Sequence, residues 1–205
     1  DYDTSLLPNS VVSADFNGDN ILDLALSAQG ADSVSVLLGD GSGGFAASTD
    51  FETGANPMQV VSEDFNGDNK PDLAVACAGP NAVSILLGDG NGGFAAKTDF
   101  PTGANPISMT SEDFNGDAKP DLAAGAGADS AISVLLGDGS GGFGTRTDYA
   151  PGTNPTALTS GDLNNDHRPD LAVANFSFDA VSVVLNEGQP GPVADRTTLG
   201  FSDQT

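Results

Sequence analysis

Four nine-residue acidic stretches carry the side chains best suited to chemistry. In the second, Asp64-Phe65-Asn66-Gly67-Asp68-Asn69-Lys70-Pro71-Asp72, side-chain oxygens stand at positions 1, 3, 5 and 9. Position 7 adds a backbone carbonyl, so one short loop offers most of the oxygen shell that calcium takes. Three carboxylates within nine residues repel one another, and a hard divalent cation relieves that repulsion. Magnesium matches less well, because it keeps more of its water and takes fewer protein ligands. The candidate ligands are Asp15, Asn17, Asp19, Ile21 and Asp23 in the first copy and Asp64, Asn66, Asp68, Lys70 and Asp72 in the second. The third has Asp113, Asn115, Asp117, Lys119 and Asp121, and the fourth Asp162, Asn164, Asp166, Arg168 and Asp170. Ile21, Lys70, Lys119 and Arg168 enter through their carbonyls alone. About four Ca2+ are expected, one per copy.

Two further positions carry structural expectations. Position 2 is Phe16, Phe65, Phe114 or Leu163, apolar each time and expected to turn from the ion and pin the loop to the core. Position 6 is Asn20, Asn69, Ala118 or His167, where the EF-hand loop has Gly for its sharp turn. A left-handed backbone there suits Asn and strains Ala, which would make the third loop the most strained.

These loops need a scaffold that repeats with them. Asp-Phe-Asn-Gly-Asp begins at Asp15, Asp64 and Asp113, and Asp-Leu-Asn-Asn-Asp at Asp162, always 49 residues apart. Leu-Leu-Gly-Asp-Gly recurs in phase at Leu37, Leu86 and Leu135 and decays to Val184-Leu185-Asn186-Glu187-Gly188 in the fourth copy. The chain therefore divides into units 1–49, 50–98, 99–147 and 148–196, one repeat domain, followed by a tail at 197–205.

Each unit reads as four strands. The first alternates, with Val11, Val60, Met109 and Leu158 on one face. After the acidic loop comes a short all-apolar run such as Leu73-Ala74-Val75-Ala76-Cys77, too short for a helix and suited to a strand covered on both faces. The third strand is Ser84-Ile85-Leu86-Leu87, a turn follows at Asp89-Gly90, and a fourth runs from Phe94 toward Phe100. Four strands in about 49 residues with short connections describe a β-propeller blade. A parallel β-helix needs a shorter repeat, and an immunoglobulin-like sandwich would not repeat so faithfully. The expected fold is an all-β propeller of four blades, as a closed four-bladed ring or as a partial propeller completed by a partner. The last strand of the fourth blade has two candidate sources, the tail near Arg196 to Phe201 and the N-terminal segment at Tyr2.

Composition excludes several functions. With 29 Asp plus Glu, six Lys plus Arg and a net charge of −23, the chain lacks the basic clusters that nucleic acid and anionic membranes require. Twelve of those acids lie in the four loops, so much of the imbalance belongs to the metal sites. No apolar run approaches a bilayer span. Cys77 is the lone cysteine, which rules out an internal disulfide.

Gly39-Asp40-Gly41-Ser42-Gly43-Gly44 satisfies a dinucleotide-loop pattern but joins two strands and opens no helix, so it reads as a hairpin. His167, the one histidine, falls inside the fourth acidic loop and reads as a surface residue. Phe176 and Phe178 break the repeat beside Asp179 and are candidate contacts for a sugar ring or a protein partner.

Asp64 to Leu73 resembles the Asp-x-Asn-Gly-Asp-x-x-x-Asp-Leu core of the FG-GAP and VCBS calcium-loop repeats of integrin α-subunit propellers and bacterial surface proteins. Ala78-Gly79-Pro80 resembles the Gly-Ala-Pro-type ending of that motif. The resemblance implies calcium in loops on one face of a propeller and a role in extracellular adhesion or ligand binding. The expected function is that of a non-enzymatic, secreted or cell-surface calcium-binding module with a protein or glycan ligand, no nucleic acid and no membrane insertion. Rival expectations are an accessory domain of an extracellular polysaccharide-degrading enzyme, and a surface-filament protomer that self-associates through its termini by strand donation.

Overall fold

The computed structural model describes residues 1–188. The first sheet holds β1 (Pro8–Ala14), β2 (Asp23–Ala28), β3 (Ser33–Leu37) and β4 (Thr49–Glu52). The second holds β5 (Pro57–Glu63), β6 (Asp72–Cys77), β7 (Ala82–Leu86) and β8 (Thr98–Pro101). The third holds β9 (Pro106–Glu112), β10 (Asp121–Ala126), β11 (Ala131–Leu135) and β12 (Thr147–Tyr149). The fourth is three-stranded among the described residues: β13 (Pro155–Gly161), β14 (Asp170–Asn175) and β15 (Ala180–Val184). Every pairing is antiparallel between strands adjacent in the chain, so each sheet is a meander built from one repeat.

Sheets stack face on face. First strands of successive sheets lie against one another, β1 on β5, β5 on β9 and β9 on β13. The core is three apolar slabs, one between each pair of sheets. Val34, Val36 and Phe16 of the first sheet meet Val60, Leu73 and Val75 of the second. Val83, Ile85 and Phe65 of the second meet Met109, Leu122 and Ala124 of the third. Ile132 and Ala123 of the third meet Leu171 and Val173 of the fourth.

The all-apolar strands behave as expected only in the middle of the stack. Every residue of β6 and β10 is buried, because each has a sheet on both sides. In β2 and β14 burial alternates with partial exposure, because each end sheet has one open face. Among the described residues the four sheets do not close into a ring, and the array is a partial propeller. Two other expectations change. Strand pairing with β7 resumes only at Thr98, since Phe94 makes a single bridge with Gly88 and turns its ring onto Phe16. Tyr2 does not complete the fourth sheet: its ring stands edge-on to Phe45 of the first, at 5.4 Å. The segment Phe176–Phe178, read from the sequence only as a break in the repeat, is one 3₁₀ turn. The alternative source of a last strand, the tail at 197–205, lies outside the described residues.

Candidate metal centres

Each acidic loop joins the first strand of its sheet to the second, with position 9 as the first residue of the second strand. The loop folds around the carboxylate at position 1. In the first copy Gly18 and Asp19 donate their N–H groups to Asp15 Oδ1 (2.7 and 3.1 Å), and Asn20 donates to Oδ2 (2.7 Å). Asp64 and Asp113 accept the same three bonds in their loops. Asp19 N–H also donates to Asn17 Oδ1 (2.9 Å), and Ile21 N–H donates to Asp19 Oδ1 (2.8 Å). Oxygens at positions 1, 3 and 5 are thus fixed by short-range bonds that the sequence spacing dictates. Burial works against the charge on Asp15, yet the converging N–H groups hold its carboxyl below the ordinary range. Position 6 is left-handed in all four loops, at φ 63° for Asn20, 61° for Asn69, 63° for Ala118 and 65° for His167. Ala118 therefore carries the strain expected of a residue with a Cβ in that region.

Position 9 has a structural task of its own. Asp23 Oδ2 accepts Phe16 N–H (2.9 Å) and Oδ1 accepts Gly39 N–H (2.8 Å), so this fully buried carboxylate ties its loop to the far end of β3. Asp72, Asp121 and Asp170 make the equivalent pairs. Burial pushes the Asp72 carboxyl up to about 6, against the pull of its two N–H bonds, and the nearby Asp68 and Asp64 charges push the same way. Asp121 is likewise pushed up to about 6, by burial first and with Asp117 adding to it. The constant 16-residue spacing from Asp23 to Gly39, Asp72 to Gly88 and Asp121 to Gly137 is the sequence signal of this brace.

Position 7 supplies an internal cation in three loops. Lys70 Nζ stands 3.3 Å from Asp68 Oδ2, Lys119 Nζ 3.3 Å from Asp117 Oδ2, and Arg168 2.5 Å from Asp166 Oδ2. Ile21 leaves the first loop without one. Among the described residues no three His, Cys, Asp or Glu side chains form a metal-holding group by themselves. A full shell on any loop therefore has to draw on the neutral oxygens of positions 3 and 7. That donor set contains only oxygen, which fits a hard cation such as calcium and not zinc.

The loops differ in what holds them from outside. Gly92 N–H, in the hairpin of the second sheet, donates to Phe16 O of the first loop (2.9 Å), and Phe94 packs edge-on to Phe16 at 5.5 Å. Gly141 and Phe143 hold the second loop through Phe65 in the same way (3.0 and 5.7 Å). The fourth repeat has lost its Gly-Gly-Phe, and the Asn186 side chain donates to Phe114 O instead (2.7 Å). Among the described residues no sheet follows the fourth loop, and Leu163 is 50% exposed where Phe16 and Phe65 are 2% exposed. The pinning expected of position 2 is realised by the next sheet, and it fades where the array ends.

The other residues singled out from the sequence are not drawn into these loops. Phe176 is 75% exposed at the start of the 3₁₀ turn that Phe178 ends. His167 lies open to solvent with Nδ1 3.9 Å from Asp162. Cys77 fills a buried strand position, and burial raises its thiol above the ordinary range. The glycine-rich hairpin is closed by Asp40, whose Oδ1 accepts the N–H groups of Ser42 (2.8 Å) and Gly44 (2.9 Å). A Cβ on Gly44 would fall 2.2 Å from Asp40 Oδ2, which accounts for its glycine. Sequence reasoning missed both the position 9 brace and the role of Asn186, since each acts across strands.

Solved structures share the fold. A BBS1N structure in complex with ARL6DN is 16% identical, with a TM-score of 0.60 over 88% of this chain and 58% of that one. A lectin of Agrocybe aegerita, described as recognising non-reducing terminal N-acetylglucosamine, is 17% identical, with a TM-score of 0.53 over 86% of this chain and 52% of its own. The V. cholerae biofilm matrix protein Bap1 is 17% identical, with a TM-score of 0.53 over 87% and 27%. The chain spans less than two thirds of each of them. Comparison with curated proteins gave no match. The FG-GAP-like repeat matches at residues 15–75, 64–124 and 113–173, so that nearly all of the array, from the first acidic loop into β14, is covered, and the chain belongs to the FG-GAP-like repeat family.

Proposed function

We propose that this chain is a calcium-stabilised, non-enzymatic binding module of a secreted or cell-surface protein. The observation that carries the reading is the oxygen-only loop, built four times in phase with its first carboxylate already held by backbone N–H groups. Asp, Asn and Asp at positions 1, 3 and 5 and the position 7 carbonyl would hold the ion, with position 9 closing the set while bracing β3. Calcium supplies charge neutralisation there, and the repulsion among the three acids of a loop becomes an attraction to a common centre. Extracellular-type sites bind at about 10⁻⁴ to 10⁻³ M. At ten times the dissociation constant each site adds about 1.4 kcal/mol to stability.

The ligand class favoured is a glycan or a protein surface, at the one place where the repeat is broken by aromatic residues. An exposed Phe176 offers a face for a sugar ring or an apolar anchor. Titration calorimetry with Ca2+ on the full chain, paired with melting in calcium and in EDTA, tests the metal reading. Binding near four equivalents with a higher melting temperature is expected. No heat of binding and an unchanged melt would overturn it.

A further inference from the structure

Among the described residues, each end of the stack leaves one sheet face open. Each internal slab joins an outgoing face, built on the second and third strands of one sheet, to an incoming face on the first and second strands of the next. On the outgoing face Val34, Val83 and Ile132 are each 0% exposed. Their equivalent in the fourth sheet, Val181, is 70% exposed, and Val183 is exposed where Val36 and Ile85 are buried. On the incoming face Val60 and Met109 are buried, while their equivalent in the first sheet, Val11, is 58% exposed. Leu24 and Leu26 of the first sheet are half-buried, where Leu73 and Val75 are fully covered.

A repeat array that ends in water carries a polar outer face on its terminal repeats. Both ends here keep the apolar residues of an internal repeat. Faces of this kind need a cover, and each is chemically complementary to the other, because three internal slabs already join the same pair of surfaces. One copy of the chain fills between half and three-fifths of the lectin and BBS1N structures, so a ring of that size class needs close to twice as many sheets.

We propose that the occupant of each open face is a second copy of this chain, packed head to tail. The outgoing face around Val181 and Val183 of one copy covers the incoming face around Val11, Leu24 and Leu26 of the other. A head-to-tail contact uses different surfaces on the two partners, and two such contacts close a ring of two copies. Val181, Val183, Val11, Leu24 and Leu26 are all uncharged, and moderate salt screens the repulsion between two acidic chains.

Light scattering coupled to size exclusion, on the full chain in calcium and moderate salt, reads the assembly directly. The expected mass is twice 20.4 kDa. Val181→Asp blocks the outgoing face and Val11→Asp the incoming one; each residue is exposed in the single chain, so each variant keeps its circular dichroism and runs as a monomer. An equimolar mixture of the two variants retains one intact pair of faces and forms a dimer. Wild type running as a monomer at all concentrations, or a dimer surviving Val181→Asp, overturns the proposal. If deletion of residues 189–205 turns a monomer into a dimer, the tail is the cover and the second copy is not.

Discussion

The second and fourth acidic loops carry the same ligand types at the same positions and live in different surroundings. Around Asp64 the loop is clamped by Gly141 and Phe143 of the next sheet, and Phe65 is sunk in a slab. Around Asp162 no sheet follows among the described residues, Asn165 replaces the position 4 glycine in a left-handed conformation, and Leu163 stands half in solvent. The donor atoms of a loop come from its own nine residues, whereas its rigidity comes from a neighbour about 75 residues further along. A repeat can therefore keep the oxygen-bearing residues of its loop while losing the clamp that holds the loop in place.

The largest predicted difference lies at position 2. Phe65→Ala opens a cavity and removes an aromatic contact, at a cost of about 3–5 kcal/mol. Leu163→Ala removes a side chain already half in water, and its cost is smaller, about 0.5 kcal/mol. Urea unfolding of the two variants checks this, and equal losses would break the comparison. Next in size is calcium itself. Chelation removes about 1.4 kcal/mol per site at tenfold saturation, and the unclamped fourth loop is expected to give up its ion first. Hydrogen exchange at graded free calcium should show protection falling around residues 162–170 before 64–72, and a simultaneous loss would argue that the clamp does not matter.

A third prediction concerns strain inside a clamped loop. Ala118→Gly relieves a Cβ at φ 63° and should leave the third loop about 1 kcal/mol more stable, read as a rise in melting temperature; a fall would show that glycine's unfolded-state entropy wins. The smallest effect is at position 7. Lys70 is half-exposed beside Asp68, and Lys70→Ile makes the second loop resemble the first. Its calcium affinity should rise by a few tenths of a kcal/mol at low salt and by less as salt increases. An affinity indifferent to both substitution and salt would show that the internal cation does not compete.

Much of the fold was legible because the repeat is faithful. The 49-residue phase, the four-strand unit and the short fully apolar second strand all follow from local spacing, and β6 and β10 lie where that spacing puts them. The left-handed turn at position 6 was legible for the same reason: an Asx-rich loop closes on its own backbone within six residues. Position 9 was legible as a carboxylate but not as a brace, since its second partner, Gly39 or Gly88, lies 16 residues away on another strand. Between the two expected forms, a closed four-bladed ring and a partial propeller, the repeat spacing did not choose. Ser5-Leu6-Leu7 stands where the second repeat has Gly54-Ala55-Asn56, yet Ser5 N–H still donates to Ser35 Oγ (3.3 Å) as Gly54 does to Ser84 (2.9 Å), and Leu7 adopts the left-handed φ of 58° that Asn56 has. The N-terminal segment therefore keeps the geometry of an ordinary repeat start.

By itself the sequence determined the donor set of each loop, the phase of the repeat and the strand order within a sheet, because all three are settled by contacts within about 50 residues. Only the tertiary structure decided which loops are clamped, which apolar strands are covered on both faces and whether the array closes. Those depend on the angle and number of stacked sheets, quantities that no single repeat encodes.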